Sequence, residues 1–100
     1  MARRRGTPDA FAAIFTALAH PARRRMLVTL HFEGGAMKAG AIAATFEHAW
    51  PTTTRHLSVL EAAGLLTRER SGRTQIYRLV RKRLALVADW LSLLAKGDPR

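Results

Sequence analysis

Hydrophobic residues recur every three to four positions in five stretches of the chain, which is the spacing of helices with one buried face. We expect helices over residues 8–19, 21–32, 38–46, 50–63 and 81–95. Thr7 is the expected N-cap of the first helix, with Pro8 at its first position and Asp9 in its first turn. Gly34-Gly35 and Gly64 follow the second and fourth stretches, where glycine commonly closes a helix.

Two short basic strands are predicted between the last two helices. They cover residues 66–70 and 75–79, and Ser71-Gly72-Arg73-Thr74 supplies the turn between them. The third and fourth helices are separated only by residues 47–49, which predicts a helix-turn-helix. The chain should therefore be mainly α with a β-hairpin wing, a winged helix-turn-helix in the order α-α-α-α-β-β-α.

The fourth helix has a buried side and an exposed side, because successive residues of a helix are about 100° apart. The expected buried side consists of Thr53, Leu57, Leu60 and Gly64. The opposite side consists of Thr52, Arg55, Ser58 and Val59. An exposed polar helix face beside a basic hairpin is suited to the backbone and the base edges of a nucleic acid.

The last helix carries two apolar stripes, and a helix of this kind is normally buried on both sides. A small domain cannot bury both stripes alone, so we expect a homodimer that also involves the first helix. The expected interface residues are Phe11, Ile14, Leu86, Trp90, Leu93 and Leu94. A helix lying on a membrane surface is the competing interpretation, but Asp89 and Ser92 interrupt the apolar stretch.

Composition favours a polyanionic partner. The chain has 100 residues and a formal net charge of +10, from 17 Lys and Arg against 7 Asp and Glu. We expect one domain over residues 8–97, preceded by a flexible basic arm over residues 1–7. The absence of cysteine excludes thiolate chemistry, and the N-terminus lacks the apolar segment of a signal peptide, so a cytoplasmic protein without membrane attachment is expected.

Four motifs occur in a fixed order, at residues 17–24 (ALAHPARR), 54–66 (TRHLSVLEAAGLL), 70–73 (RSGR) and 76–79 (IYRL). Together they make the chain resemble the ArsR-type winged-helix repressors, which are small dimeric regulators of transcription. The resemblance covers roughly residues 15–79. It implies that the fourth helix enters the major groove of DNA and that the first and last helices form the dimer.

The resemblance also implies which residues contact double-stranded DNA. On the fourth helix they are Thr52, Thr54, Arg55, His56 and Ser58. On the wing they are Arg68, Arg70, Arg73 and Thr74. The arm residues Arg3, Arg4 and Arg5 either follow the minor groove or form a solubilising tail.

The sequence departs from the family in places that concern sensing. The third helix lacks the cysteines and histidines of metal-sensing members, and the last helix offers only Asp89, so no metal and no cofactor is expected. Glu47 and His48 occupy a turn that usually carries glycine and an apolar residue, and Ala49 replaces the usual serine cap. An alanine cap costs the fourth helix about 1 kcal/mol.

We therefore expect a dimeric, sequence-specific DNA-binding regulator, most simply a repressor; the sequence does not show whether a small-molecule effector exists. Two alternatives stay open. One is a winged-helix protein that binds DNA or RNA with little sequence preference, and the other is a protein–protein adaptor that uses the apolar last helix. No arrangement of residues suggests a catalytic site, so an enzyme is not expected.

Overall fold

The computed structural model describes residues 9–47 and 49–97. These residues form the following elements: α1 (Ala10–Leu18), α2 (Pro21–Phe32), β1 (Ala36–Lys38), α3 (Ala39–Thr45), α4 (Trp50–Ala62), β2 (Leu66–Ser71), β3 (Thr74–Leu79) and α5 (Arg81–Ala95). The helix-turn-helix is α3 and α4, and the wing is the hairpin of β2 and β3. The predicted fold class, mainly α with a β-hairpin wing, is confirmed.

The predicted element order is corrected by one strand, β1. This strand pairs antiparallel with β3, so the sheet has the order β1-β3-β2. Ala36 lies opposite Arg78 and Lys38 opposite Ile76, and the Leu79 N–H donates to the Gly35 carbonyl over 2.8 Å. Three residues are too few to show an alternating pattern, and this strand is recognisable only through its distant partner.

The start of α1 is also corrected. The helix begins at Ala10, and Asp9 is its N-cap, with Oδ1 accepting a hydrogen bond from the Ala12 N–H over 2.7 Å. Asp9 therefore takes the role predicted for Thr7; Thr7 and Pro8 themselves lie outside the described residues. The α2 and α5 bounds agree with the prediction, and those of α3 and α4 agree to within one residue.

The junction between α1 and α2 explains the first motif. The His20 side chain caps α2, because its Nδ1 accepts a hydrogen bond from the Ala22 N–H over 3.1 Å. Arg23 Nε donates to the Ala17 carbonyl and Arg24 Nη1 to the Leu18 carbonyl, each over 2.7 Å. These cations satisfy the last carbonyls of α1, where the helix dipole is negative.

One hydrophobic core joins all five helices and the sheet. Leu57 and Leu60, predicted on the buried side of α4, are buried there together with Met26 and Leu30 of α2 and Ile42 of α3. Phe46, directly after α3, and Tyr77 of β3 are also buried in this core. This core fixes α4 with its opposite face toward solvent and places the wing beside it.

The end of α4 is set by Gly64, whose φ is +80°. The Leu65 N–H donates to the Leu60 carbonyl over 3.0 Å, and the Gly64 N–H to the Glu61 carbonyl over 2.9 Å. This pair of bonds is a Schellman motif, which needs a left-handed residue at this position. The chain thereby turns directly from the helix into the wing.

Candidate nucleic-acid interface

The exposed face of α4 is the centre of the candidate interface. Thr52, Arg55 and Ser58 are exposed on it, as expected from their spacing. Arg55 makes no hydrogen bond or ion pair with any described residue, so the fold does not occupy its guanidinium. A long cation flanked by short hydroxyls can reach both base edges and phosphates.

The start of α4 lacks a side-chain cap, since Ala49 cannot supply one. Pro51 lies in the first turn, where its missing N–H costs nothing. Trp50 begins the helix and keeps 46% of its surface exposed. Sequence reasoning did not name Trp50 as a site residue, although a tryptophan at the start of a polar helix face is a signal that could have been noticed.

His56 is a correction to the predicted contacts. Its side chain is buried, and its Nδ1 lies 3.2 Å from Arg23 Nη1. The His20 ring packs against it at 4.4 Å between centroids. His56 therefore ties α4 to the α1–α2 junction instead of facing solvent.

Thr54 is a second correction, because its hydroxyl oxygen is buried and has no hydrogen-bond partner among the described residues. The side chain as a whole is half-buried. The hydroxyl predicted to meet DNA thus points away from the surface. Thr53 was expected on the buried side, and its hydroxyl is also buried.

The wing presents its arginines around a tight turn. Gly72 has a φ of +64° and occupies the first position of a two-residue turn between β2 and β3. Arg68 lies opposite Tyr77 and Arg70 opposite Gln75, so both arginines leave the same face of the hairpin. Arg73 is exposed at the turn, and Thr74 beside it is half-buried.

Some arginines of the wing have a hydrogen-bond or ion-pair partner among the described residues, and others do not. Arg68 Nε lies 3.6 Å from Glu61 Oε1 of α4, and Arg70 Nε donates to the Gly72 carbonyl over 3.3 Å. Arg73 has no hydrogen bond or ion pair with a described residue, so its charge is available at the tip.

Arg78, on β3, is engaged by an acidic neighbour on the wing. Its Nε donates to Glu69 Oε1 over 3.1 Å. The hydrogen bond and the charge of Glu69 raise the pKa of Arg78. Glu69 thereby compensates one cation of the hairpin, and the predicted contact residues of the wing do not include Arg78.

An exposed apolar surface covers α1 and α5 on another part of the molecule. The ring of Trp90 lies 6.1 Å from that of Phe11 and 5.6 Å from that of Phe15, between centroids. The exposed large residues of this α1–α5 surface are Phe11, Phe15, Leu86, Trp90, Leu91, Leu93 and Leu94. Five of the six predicted interface residues are among them.

The sixth predicted interface residue, Ile14, is a correction. It is fully buried in the core of its own protomer and has no surface to offer a partner. Phe15, its neighbour, is the exposed residue of α1 that the prediction missed. Both belong to the apolar side of the helix, and helical spacing alone does not decide which one faces the core and which one faces solvent.

The remaining predictions concern the arm, metals and membranes. Arg3, Arg4 and Arg5 lie outside the described residues. Within residues 9–47 and 49–97, no group of three or more His, Asp or Glu is placed to hold a metal ion. Within the same ranges, no helix has both the length and the hydropathy to cross a bilayer.

Comparison with known proteins gives one family match and one related sequence. Residues 18–69, which include the helix-turn-helix and most of β2, match the family described as a helix-turn-helix domain. The transcriptional repressor SdpR of Bacillus subtilis (strain 168) is 35% identical over 86 residues, which cover 85% of this chain and 93% of SdpR. The matched regions include α4 and its exposed face.

Solved structures of similar fold superpose on nearly the whole chain. An ArsR-like transcriptional regulator from Rhodococcus sp. RHA1 superposes with a TM-score of 0.73 at 26% identity, covering 87% of this chain and 80% of that one. A homodimeric winged helix-turn-helix DNA-binding domain from Mycobacterium bovis, a possible ArsR-family regulator, gives a TM-score of 0.69 at 25% identity and covers 100% of this chain and 94% of that one.

Proposed function

Because the chain belongs to the helix-turn-helix domain family and is an ArsR-type winged-helix transcriptional regulator, we propose that two copies bind one double-stranded DNA operator and repress transcription from it. The observation that carries the proposal is the exposed face of Thr52, Arg55 and Ser58 beside an arginine-bearing wing. We infer that the protein acts in the cytoplasm by occupying DNA, without a catalytic step.

In this proposal α4 enters the major groove. Arg55 places its guanidinium against guanine O6 and N7, a contact that contributes about 1–3 kcal/mol of discrimination between bases. Thr52 and Ser58 hydrogen-bond to phosphate oxygens or base edges on either side. Pro51 has no N–H, and the N–H groups of Thr52 and Thr53 donate to the Ala49 carbonyl over 3.0 and 3.1 Å, so the Trp50 N–H is the group at the start of α4 that suits a DNA phosphate.

The wing binds the DNA backbone beside the major groove. Arg73 at the tip and Arg70 on β2 contact phosphates or the adjacent minor groove, and both cations are exposed. Arg68 lies closer to α4 and forms an ion pair with Glu61, so it contributes less to DNA binding. We extend the proposal to Arg3, Arg4 and Arg5, which would follow the neighbouring minor groove.

The α1–α5 surface joins the two subunits. Its aromatic cluster and exposed leucines form an apolar area of the kind that partner subunits cover. A two-fold dimer then presents two copies of α4 about 34 Å apart, one turn of the double helix. Occupying a promoter in this way blocks transcription.

The test measures the affinity of the full chain for duplexes tiled across its own promoter region and for random duplexes of the same length. We expect one tile to bind about 10³-fold more tightly than random sequence at physiological salt. Arg55→Ala should reduce binding to that tile about 10- to 100-fold. Lys96→Ala, which removes an exposed cation at the end of α5, is the charge-matched control and should have little effect.

Two outcomes would refute the proposal. Equal affinity for every tile and for random DNA would indicate a packaging protein that binds through the backbone alone. An Arg55→Ala protein that is folded and binds its preferred tile as tightly as the unmodified chain would remove α4 from the interface.

A further inference from the structure

A surface groove lies where the end of α4, the base of β2 and the first turn of α5 meet. Its volume is about 690 Å³, which is within the range of sites for small molecules. Among the described residues predicted to contact DNA, Arg68 is the one that lines it. The groove therefore touches the DNA-reading helix, the wing and the helix of the α1–α5 surface without covering the exposed face of α4.

One part of the groove is apolar. Leu66 of β2, Val80 before α5 and Leu86 within α5 line it. Leu86 also belongs to the α1–α5 surface and is 41% exposed. These side chains can remove a hydrocarbon from water, which is the main source of affinity in small-molecule sites.

The rim of the groove is positive. Arg68, Lys82 and Arg83 line it, and Glu61 is the acidic residue among the lining residues. Glu61 is engaged with Arg68 at 3.6 Å. Lys82 is exposed and has no hydrogen bond or ion pair with a described residue. The groove thus has an excess of positive charge beside apolar walls.

Arg83 is held in place at the end of α4. Its Nε donates to the Ala63 carbonyl over 3.2 Å. A Cβ atom built on Gly64 would lie 2.6 Å from that Nε and 3.0 Å from Cζ, so the guanidinium packs directly against the glycine. A fixed planar guanidinium is well prepared to hold a carboxylate.

We propose that this groove binds a small amphipathic carboxylate and that this binding lowers the affinity of the protein for DNA. The carboxylate lies between Lys82 and Arg83 and competes with Glu61 for Arg68, while the hydrocarbon covers Val80 and Leu86. Loss of the Glu61–Arg68 contact loosens β2 from α4. The effect on DNA rests on the proposed function, and the ligand site shares Leu86 with the proposed subunit contact.

The effect follows from linkage between two sites. A ligand that prefers the arrangement with the wing released from α4 lowers the affinity for DNA, and DNA lowers the affinity for the ligand by the same factor. A single exposed ion pair carries little energy. We therefore expect a modest coupling of about fivefold, at the lower end of the usual range.

The first experiment titrates sodium octanoate into the ¹⁵N-labelled full chain without DNA and follows amide shifts by NMR. Saturable shifts are expected at Gly64, Thr67 and Lys82, with much weaker effects from octanol and from inorganic phosphate. Lys82→Gln should raise the dissociation constant about fivefold or more. Lys96→Gln, the charge-matched control, should not, and Arg83→Gln provides a second groove variant.

Several results would overturn the ligand site. These are shifts that do not saturate, equal shifts with octanol, equal shifts with phosphate, and an octanoate affinity that Lys82→Gln and Lys96→Gln change alike. Shifts confined to residues around Phe11 and Trp90 would instead place octanoate on the α1–α5 surface.

The second experiment repeats the DNA titration with and without octanoate. The proposal expects octanoate to weaken binding of the unmodified chain and to leave Lys82→Gln unaffected. Octanoate binding without any change in DNA affinity would overturn the coupling. A Lys82→Gln protein whose DNA affinity falls, with a smaller salt dependence, would show that the rim holds DNA phosphate and would overturn the effector role. Failure to bind DNA at all would refute the proposed function and leave the octanoate result intact.

Discussion

At the scale of residues, one guanidinium joins three parts of the fold. Arg23 donates from Nε to the Ala17 carbonyl over 2.7 Å and from Nη2 to the Thr16 carbonyl over 3.2 Å. Its Nη1 lies 3.2 Å from Nδ1 of His56 in α4. The helix proposed to face DNA is thus anchored to the end of α1 through a cation that also complements the α1 dipole.

Arg23→Ala should destabilise the protein by about 1–3 kcal/mol, because carbonyls at the end of α1 and the buried His56 lose their donor. Urea unfolding followed by circular dichroism measures this change. Arg55→Ala is the matched control: it removes the same side chain from a position without hydrogen bonds and should change stability by less than about 0.5 kcal/mol. Equal stability losses in the two variants would contradict the account.

The surroundings of some residues could be predicted from the sequence, and those of others could not. The contact face of Thr52, Arg55 and Ser58 follows from helical spacing and is exposed in the structure. Residues at the edge of a stripe do not follow, since a small rotation of the helix decides their side, and His56 is of this kind. Ile14 was assigned to the subunit contact although it faces the core. The role of Arg23 depends on a partner 33 residues away, which no local pattern reveals.

At the scale of elements, the passage from α4 to the wing depends on Gly64. A left-handed conformation costs other residues about 1–2 kcal/mol, and the packed guanidinium of Arg83 leaves little space for a side chain. Gly40 differs, because it lies within α3 and a Cβ there would meet nothing within 4 Å. Position 64 therefore requires glycine, whereas position 40 can accept alanine.

Gly64→Ala should lower the free energy of unfolding by more than about 1 kcal/mol, whereas Gly40→Ala should raise it by about 0.5–1 kcal/mol through helix propensity. Thermal unfolding of both variants beside the unmodified chain provides the measurement. A Gly64→Ala protein as stable as the Gly40→Ala protein would show that neither the positive φ nor the contact with Arg83 matters.

The elements themselves were largely predictable. Four of the five described helices have longer periodic patterns with clear ends, and Gly72 marks the hairpin. α3 has only seven residues and one buried position, but its bounds also agree within a few residues. β1 was missed because Ala36–Lys38 becomes a strand only by pairing with β3. A short strand that forms only by pairing with a distant segment cannot be predicted from the local sequence pattern.

At the scale of the whole molecule, α1 and α5 expose more apolar surface than a single domain of this size can cover. Leu93 keeps 66% of its side chain exposed, and the Phe11, Phe15 and Trp90 rings form one cluster beside it. Two subunits that share this surface bring their two copies of α4 to successive turns of DNA. DNA binding by the proposed dimer depends on this paired geometry.

A hydroxyl-radical footprint on the preferred duplex tests the paired geometry most directly. The account predicts two protected segments about one helical turn apart, both weakened together by Leu93→Lys, which places a charge in the subunit contact. Val28→Lys changes an exposed apolar residue of α2 outside that surface and should leave both segments intact. A single protected segment, or two that survive Leu93→Lys unchanged, would contradict the account.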